Sequence, residues 1–181
     1  MEQFWNIVHY FVYKAYNNAA LLFQKYNPIL WITQHIYQLP FAKRHFAKMS
    51  IDDPMKLVKT TVNKINSNYE WGISSIYAGG FMNIVVGFSS FGLYFSYFII
   101  KQEELNMTIF HLIGIGIIPF VVNYYLLFKK DKYIRYFHRF DKMTRSWKIK
   151  WAWISVGAIV VLLIWGIGTL YIVLRMNLLN F

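Results

Sequence analysis

Residues 76–100 read IYAGGFMNIVVGFSSFGLYFSYFII, a run of 25 positions without Asp, Glu, Lys or Arg. At 1.5 Å per residue this makes a helix of roughly 38 Å, longer than the ~30 Å hydrocarbon core of a bilayer. Lipid offers a peptide group no hydrogen bonds, so the segment must satisfy its own backbone, and a helix does that. Two further runs share this character: residues 107–128, MTIFHLIGIGIIPFVVNYYLLF, and residues 152–174, AWISVGAIVVLLIWGIGTLYIVL, of 22 and 23 positions. One such run fits the buried helix of a soluble protein. Three of them in 181 residues do not, because a soluble chain that short has too little interior to hide them.

The rest of the composition agrees. The chain is 57% hydrophobic, 20% aromatic and 15% charged, against roughly 25% charged residues in soluble domains. The net charge of +11 calls for an anionic partner, and the hydrophobicity favours a lipid surface over nucleic acid. Cysteine is absent, which excludes disulfides, thiolate metal sites and cysteine nucleophiles. The start of the chain, with acidic Glu2 and an apolar stretch broken by His9 and Lys14, does not read as a cleaved signal peptide.

Basic residues are unevenly placed. Residues 1–75 hold eight Lys/Arg, residues 101–106 hold Lys101 alone, residues 129–150 hold nine, and Arg175 follows the last run. The positive-inside rule then puts the N-terminal region and residues 129–150 on the cytoplasmic side. The short loop with Glu103 and Glu104, and the tail from Arg175, fall on the opposite side. The fold expected is an all-α integral membrane protein. Residues 1–70 form amphipathic cytoplasmic or interfacial helices, and residues 71–175 form a three-helix transmembrane bundle.

Within the N-terminal region, Phe4, Val8, Phe11, Ala15 and Leu22 share one helical face with Ile7, Val12 and Ala19 beside them. Asn6, His9, Tyr13, Lys14, Asn17 and Gln24 share the other, a 3.6-residue periodicity. Asn27-Pro28 ends that segment. A short apolar helix over residues 29–39 is expected to stop at Pro40. Asp53-Pro54 is a helix start, with Asp as N-cap and Pro at the first helical position, and the helix runs to about Ser67.

Several sets of residues invite a functional reading. Ser75, Gly79, Asn83 and Gly87 recur at intervals of four on the first apolar run. Small residues at that spacing let helix backbones approach closely, within the chain or between subunits. Ser90, His111 and Asn123, with Asn83, are polar at membrane depth and read as interhelical hydrogen bonding or as the lining of a pathway. Pro119, following Gly114 and Gly116, is expected to kink the second run. In residues 129–150, Tyr133, Tyr136, Phe137, Phe140, Met143 and Trp147 line one face, and Arg135, Arg139, Lys142 and Arg145 lie opposite. Such a helix can seat its aromatics at headgroup level and aim its cations, Lys132 included, at anionic lipid or a protein partner. Aromatics interleaved with arginine also suit single-stranded nucleic acid, an unlikely partner beside membrane spans.

No catalytic motif is present. The histidines at 9, 35, 45, 111 and 138 lack the HxxxH spacing of a zinc site, and there is no GxSxG, P-loop or GxGxxG. No metal or cofactor is called for. The function expected is that of a non-catalytic subunit, associating with itself or with other membrane proteins. An oligomeric pore lined by Asn83, Ser90, His111 and Asn123 is the alternative. A lipid-modifying enzyme resting on Arg135, His138 and Asp141 is the remote third.

Overall fold

Prolines and capping side chains divide the N-terminal third of the chain into four helices. The computed structural model describes residues 1–102, 105 and 107–179, with side chains as far as Met176. Helix α1 spans Glu2–Tyr26. Asn27 ends it and caps the next, its Oδ1 accepting from the Ile29 N–H at 2.9 Å, and Pro28 opens α2, Pro28–Gln38. Pro40 does more than stop that helix. Leu39 is held extended, as a residue before proline prefers, and Pro40 becomes the first position of α3, Pro40–Lys48. This third helix is absent from the sequence reading. Asp53 caps α4, Pro54–Ser67, its Oδ1 accepting from the Lys56 N–H at 2.9 Å.

The later helices are α5, Ile73–Lys101, α6, Ile109–Asn123, α7, Lys132–Asp141, and α8, Arg145–Leu179. No strand occurs among the described residues. Three helices are long and apolar enough to cross a membrane: α5, α6 with its continuation toward Asp141, and α8. The acidic pair Glu103 and Glu104, and the tail's last residues Asn180 and Phe181, lie outside the described residues.

Pro119, where a kink was expected, lies inside α6 and does not end it. Helix α6 runs through Pro119 and keeps α geometry to Asn123. It then widens into a π turn, Tyr124–Phe128, and a single 3-10 turn follows, Lys129–Asp131. Lys130 and Asp131 sit in the left-handed region, with φ of 60° and 53°. Non-glycine residues pay about 1–2 kcal/mol each for that conformation, so the turn is held by what surrounds it.

The chain forms two compact units, Met1–Val12 with Ala78–Phe181, and Tyr13–Tyr77. In the first, small residues set the helix spacing. A Cβ added to Gly166 of α8 would stand 2.6 Å from the Phe88 carbonyl oxygen of α5, and one added to Gly92 would stand 3.2 Å from the Gly166 Cα. The two backbones touch there, a contact the sequence reading did not single out. In the second unit, Tyr13 donates to the Ser67 carbonyl at 2.8 Å, and its ring meets Tyr69 edge-on at 5.2 Å. Ala42 is buried, whereas α2 and α4 bury no residue fully.

Gly166→Leu should therefore lower the thermal unfolding midpoint in detergent, because backbone rather than a flexible side chain stands in the way. Gly157→Ala, where nothing lies within 4 Å of an added Cβ, should leave the midpoint unchanged or raise it through the ~1 kcal/mol helix preference of alanine. Equal effects of the two would show that α5 and α8 do not meet at these glycines.

Candidate functional site

Beyond its exposed first turn, α1 is buried on every side over residues 6–10. Asn6, Ile7, Val8, His9 and Tyr10 are each at most 2% exposed. The two-faced helix expected from the sequence is corrected here. Asn6, His9 and Tyr13, assigned to the polar face, are buried, while Ala15 and Leu22 of the apolar face are exposed. A helix buried all round needs partners for its polar groups, and those partners define the site.

Trp5 Nε1 donates to Asn123 Oδ1 at 2.7 Å, and Asn123 Nδ2 donates to Asn83 Oδ1 at 2.7 Å. One fully buried amide thus ties α1, α6 and α5 together. The π turn after Asn123 leaves carbonyls without helical partners. Asn6 Nδ2 takes that of Leu126 at 2.9 Å, and Lys132 Nζ takes that of Tyr125 at 3.0 Å. Lys132 also pairs with Glu2 Oε2 at 2.7 Å, and Tyr136 OH donates to the other Glu2 oxygen at 3.4 Å. The Lys132 hydrogen bond holds the Glu2 carboxyl below its usual range.

Helix α7 packs its aromatics on α1 rather than presenting them at headgroup level. Tyr133, Phe137 and Phe140 are buried. Phe137 and Phe140 meet the Tyr10 ring edge-on at 5.4 and 5.6 Å, and Tyr10 OH donates to Asp141 Oδ1 at 2.7 Å. Trp147, at the start of α8, stacks on Phe140 at 5.4 Å and lies 6.3 Å from Phe11. Ring pairs of this kind add about 0.5–1.5 kcal/mol each beyond area burial. His9 is enclosed by Phe128, Tyr133 and Phe137 at 6.1, 5.6 and 5.1 Å. Neither of its ring nitrogens has a hydrogen-bond partner among the described residues, and burial pushes its pKa down to about 3.

The residues singled out from the sequence divide accordingly. Asn83 and Asn123 meet. Gly79 and Gly87 face α6 and its continuation, since added Cβ atoms would lie 3.1 Å from Phe128 Cζ and 3.6 Å from Pro119 Cγ. This face is thus taken up within the chain instead of being open to another subunit. Ser75 is buried in the second unit. Ser90 donates to its own helix at the Val86 carbonyl, 2.9 Å away. His111 is exposed, and its Nδ1 accepts from the Thr108 N–H at 3.2 Å at the start of α6. Ser90 and His111 therefore do not join Asn83 and Asn123 in one lining. Arg135, Arg139, Lys142 and Arg145 are exposed. Lys132 and Trp147 are withdrawn from that surface into the contacts above.

Sequence reasoning missed Trp5, Asn6, His9 and Tyr10. The available signal was the uncharged stretch of residues 3–13, QFWNIVHYFVY, which has polar side chains all round and no cation to keep any face in water. As a chemical device the arrangement positions helices. Most of its polar groups bond within the chain, Asn6 Oδ1 and the His9 nitrogens being buried without a partner among the described residues, and no group of three or more His, Cys, Asp or Glu able to hold a metal occurs among the described residues.

Asn123→Ala should cost about 1–3 kcal/mol in reversible unfolding, since it strands Trp5 Nε1 and Asn83 Oδ1 in the interior. A double-mutant cycle with Trp5→Phe should show coupling, and strict additivity would remove the bridge. His9 stays neutral in the folded chain down to about pH 3, whereas the unfolded chain takes up a proton near the ordinary value of 6.5. Stability therefore falls as pH drops from about 6.5 toward 3, by up to about 1.4 kcal/mol per pH unit from this group. His9→Leu should flatten that part of the profile relative to the parent; an unchanged slope would show that His9 is solvated.

No protein-family model, curated protein or solved structure matches the chain, so these residues carry the functional reading.

Proposed function

We propose that the chain is an integral membrane protein with no catalytic role of its own, acting as an accessory subunit of a membrane assembly. One observation carries the reading. The three long helices leave most of their apolar surface uncovered, with only 22%, 17% and 17% of their most apolar stretches buried inside the chain. Ile84, Leu93, Ile113, Phe120, Val161 and Ile164 are each more than half exposed. In water such a surface would aggregate; in a bilayer it is solvated, and each helix satisfies its own backbone. Gly114, Gly116 and Gly157 have open space where a Cβ would be, which leaves room for the backbone of another helix.

Charge supplies the orientation. Arg135, Arg139, Lys142 and Arg145 lie exposed on α7 and the first turn of α8, on the side the positive-inside rule makes cytoplasmic. There they meet anionic headgroups or an acidic partner, each cation near the surface worth about 1 kcal/mol. The bonded amides and packed rings around α1 hold these helices in register, as a scaffold requires.

The cysteine-free sequence makes the test direct. In sealed inner-side-in vesicles, an impermeant maleimide should label Lys101→Cys at once and Ser146→Cys only after permeabilisation. Labelling of both from one side would contradict the crossing by α6 that separates them. The protein should remain in the pellet after alkaline carbonate and run in mild detergent as a complex larger than one chain. A single-chain mass at every concentration would remove the subunit reading.

A further inference from the structure

The second unit carries a surface that its own fold does not use. Over residues 21–42, LLFQKYNPILWITQHIYQLPFA, Lys25 is the only Asp, Glu, Lys or Arg. Apart from Ala42, the structure leaves this stretch outside any core. Leu22, Phe23, Ile29, Ile32, Ile36 and Phe41 are 59%, 78%, 67%, 50%, 46% and 68% exposed. Ile29, Ile32 and Ile36 follow one another at helical spacing of three and four on α2, so they share one face, and α2 buries no residue fully. Trp31 and Tyr26 are exposed as well, the residue types that gather where hydrocarbon meets headgroups.

Cations follow this stretch. Residues 43–64 hold Lys43, Arg44, Lys48, Lys56, Lys59 and Lys64 against Asp52 and Asp53, and all six cations are exposed. The short α3 shows the switch within one turn, from exposed Phe41 to exposed Lys43 and Arg44. Chain connectivity adds a constraint, because residues 73–77 already belong to α5, the first of the three long apolar helices. A unit that ends inside such a helix ends at the bilayer surface. From these observations we infer that residues 21–42 form an interfacial wedge. Its apolar side chains sink below the headgroups of an anionic leaflet, and the cations of residues 43–64 pair with lipid phosphate or carboxylate.

The inference rests on membrane insertion of α5, α6 and α8. It differs from a fourth crossing: the proline breaks at 28 and 40 leave α2 only 11 residues long, about 17 Å, far short of the ~30 Å core. It also differs from a docking site for a protein, since a run of exposed isoleucines beside a block of cations matches the two layers of an anionic lipid surface.

The test uses the full chain in nanodiscs, with an environment-sensitive fluorophore on single cysteines at Ile32→Cys, Ile36→Cys or Phe41→Cys. Lys59→Cys reports an aqueous site, and Val160→Cys on α8 reports the spans. The three wedge positions should show blue-shifted emission, quenching by a nitroxide near the headgroup, and loss of iodide quenching. The effect should be stronger in phosphatidylglycerol-containing discs than in pure phosphatidylcholine. Iodide quenching at all three positions in both lipids overturns the wedge. Quenching only by a nitroxide at the chain end overturns it in favour of deep insertion. Protection from every quencher overturns it in favour of cover by protein, including a second copy. Equal depth in the two lipids overturns the role of the cations. Val160→Cys separates the two levels. If it too is quenched by iodide and by neither nitroxide, membrane insertion itself has failed; if it is quenched at the chain end, only the wedge is at issue.

Discussion

Asn123 uses both ends of one buried amide to bind two helices other than its own, and the packing of the first unit depends on that bridge. Without it Trp5 would bring an unpaired indole N–H into a dry interior, and α1 could not bury its first turns. Those turns form one side of the bed on which α7 lays Phe137 and Phe140. With α7 in place, Lys132 and Asn6 reach the carbonyls released where α6 widens, and the left-handed pair Lys130 and Asp131 is held in a conformation it would not choose alone. Each step satisfies a polar group that the previous step removed from water.

This dependence explains why some of the structure was legible in the sequence and some was not. The long apolar helices were legible because length and lack of charge are properties of a segment taken by itself. So was the cap at Asp53, where a side chain bonds a backbone N–H three residues away; at Asn27 only the helix end was read, not its capping of the next helix. The reading of α1 went wrong because its period of 3.6 was taken to mean one buried face and one wet face. Asn6, His9 and Tyr13 are buried because other helices surround them, and the local hint, the lack of charge over residues 3–13, does not say which helices those are. Pro40 was taken only as a stop, although proline is equally at home in the first position of a helix. The small-residue series was recognised, but which helix fills it depends on Phe128 and Pro119, one of them in a turn whose geometry the sequence does not announce. Gly92 and Gly166 lie on helices whose pairing the sequence leaves open.

The exposed surfaces fall into two chemical kinds, and they bear differently on function. The middle stretches of the long helices carry uncharged, apolar faces, which suit lipid or another helix. The surface of residues 21–64 changes character along its length, from isoleucine and tryptophan to lysine and arginine. A uniform face specifies immersion, whereas a graded one specifies a boundary. The basic side of α7 belongs with the second kind, since its aromatics are withdrawn onto α1 and its cations remain available.

The bonds that anchor α1 join residues far apart along the chain. Trp5 and Asn123 are 118 positions apart, and Tyr10 and Asp141 are 131 apart. A ribosome delivering this polypeptide exposes the N-terminal segment long before its partners emerge. Closure of so long a loop is entropically slow, so the docking of residues 5–10 waits until α6 and α7 have formed. Seating of residues 5–10 is thus a late event in folding, and a chain caught before it would expose the rings of α7 that Tyr10 covers.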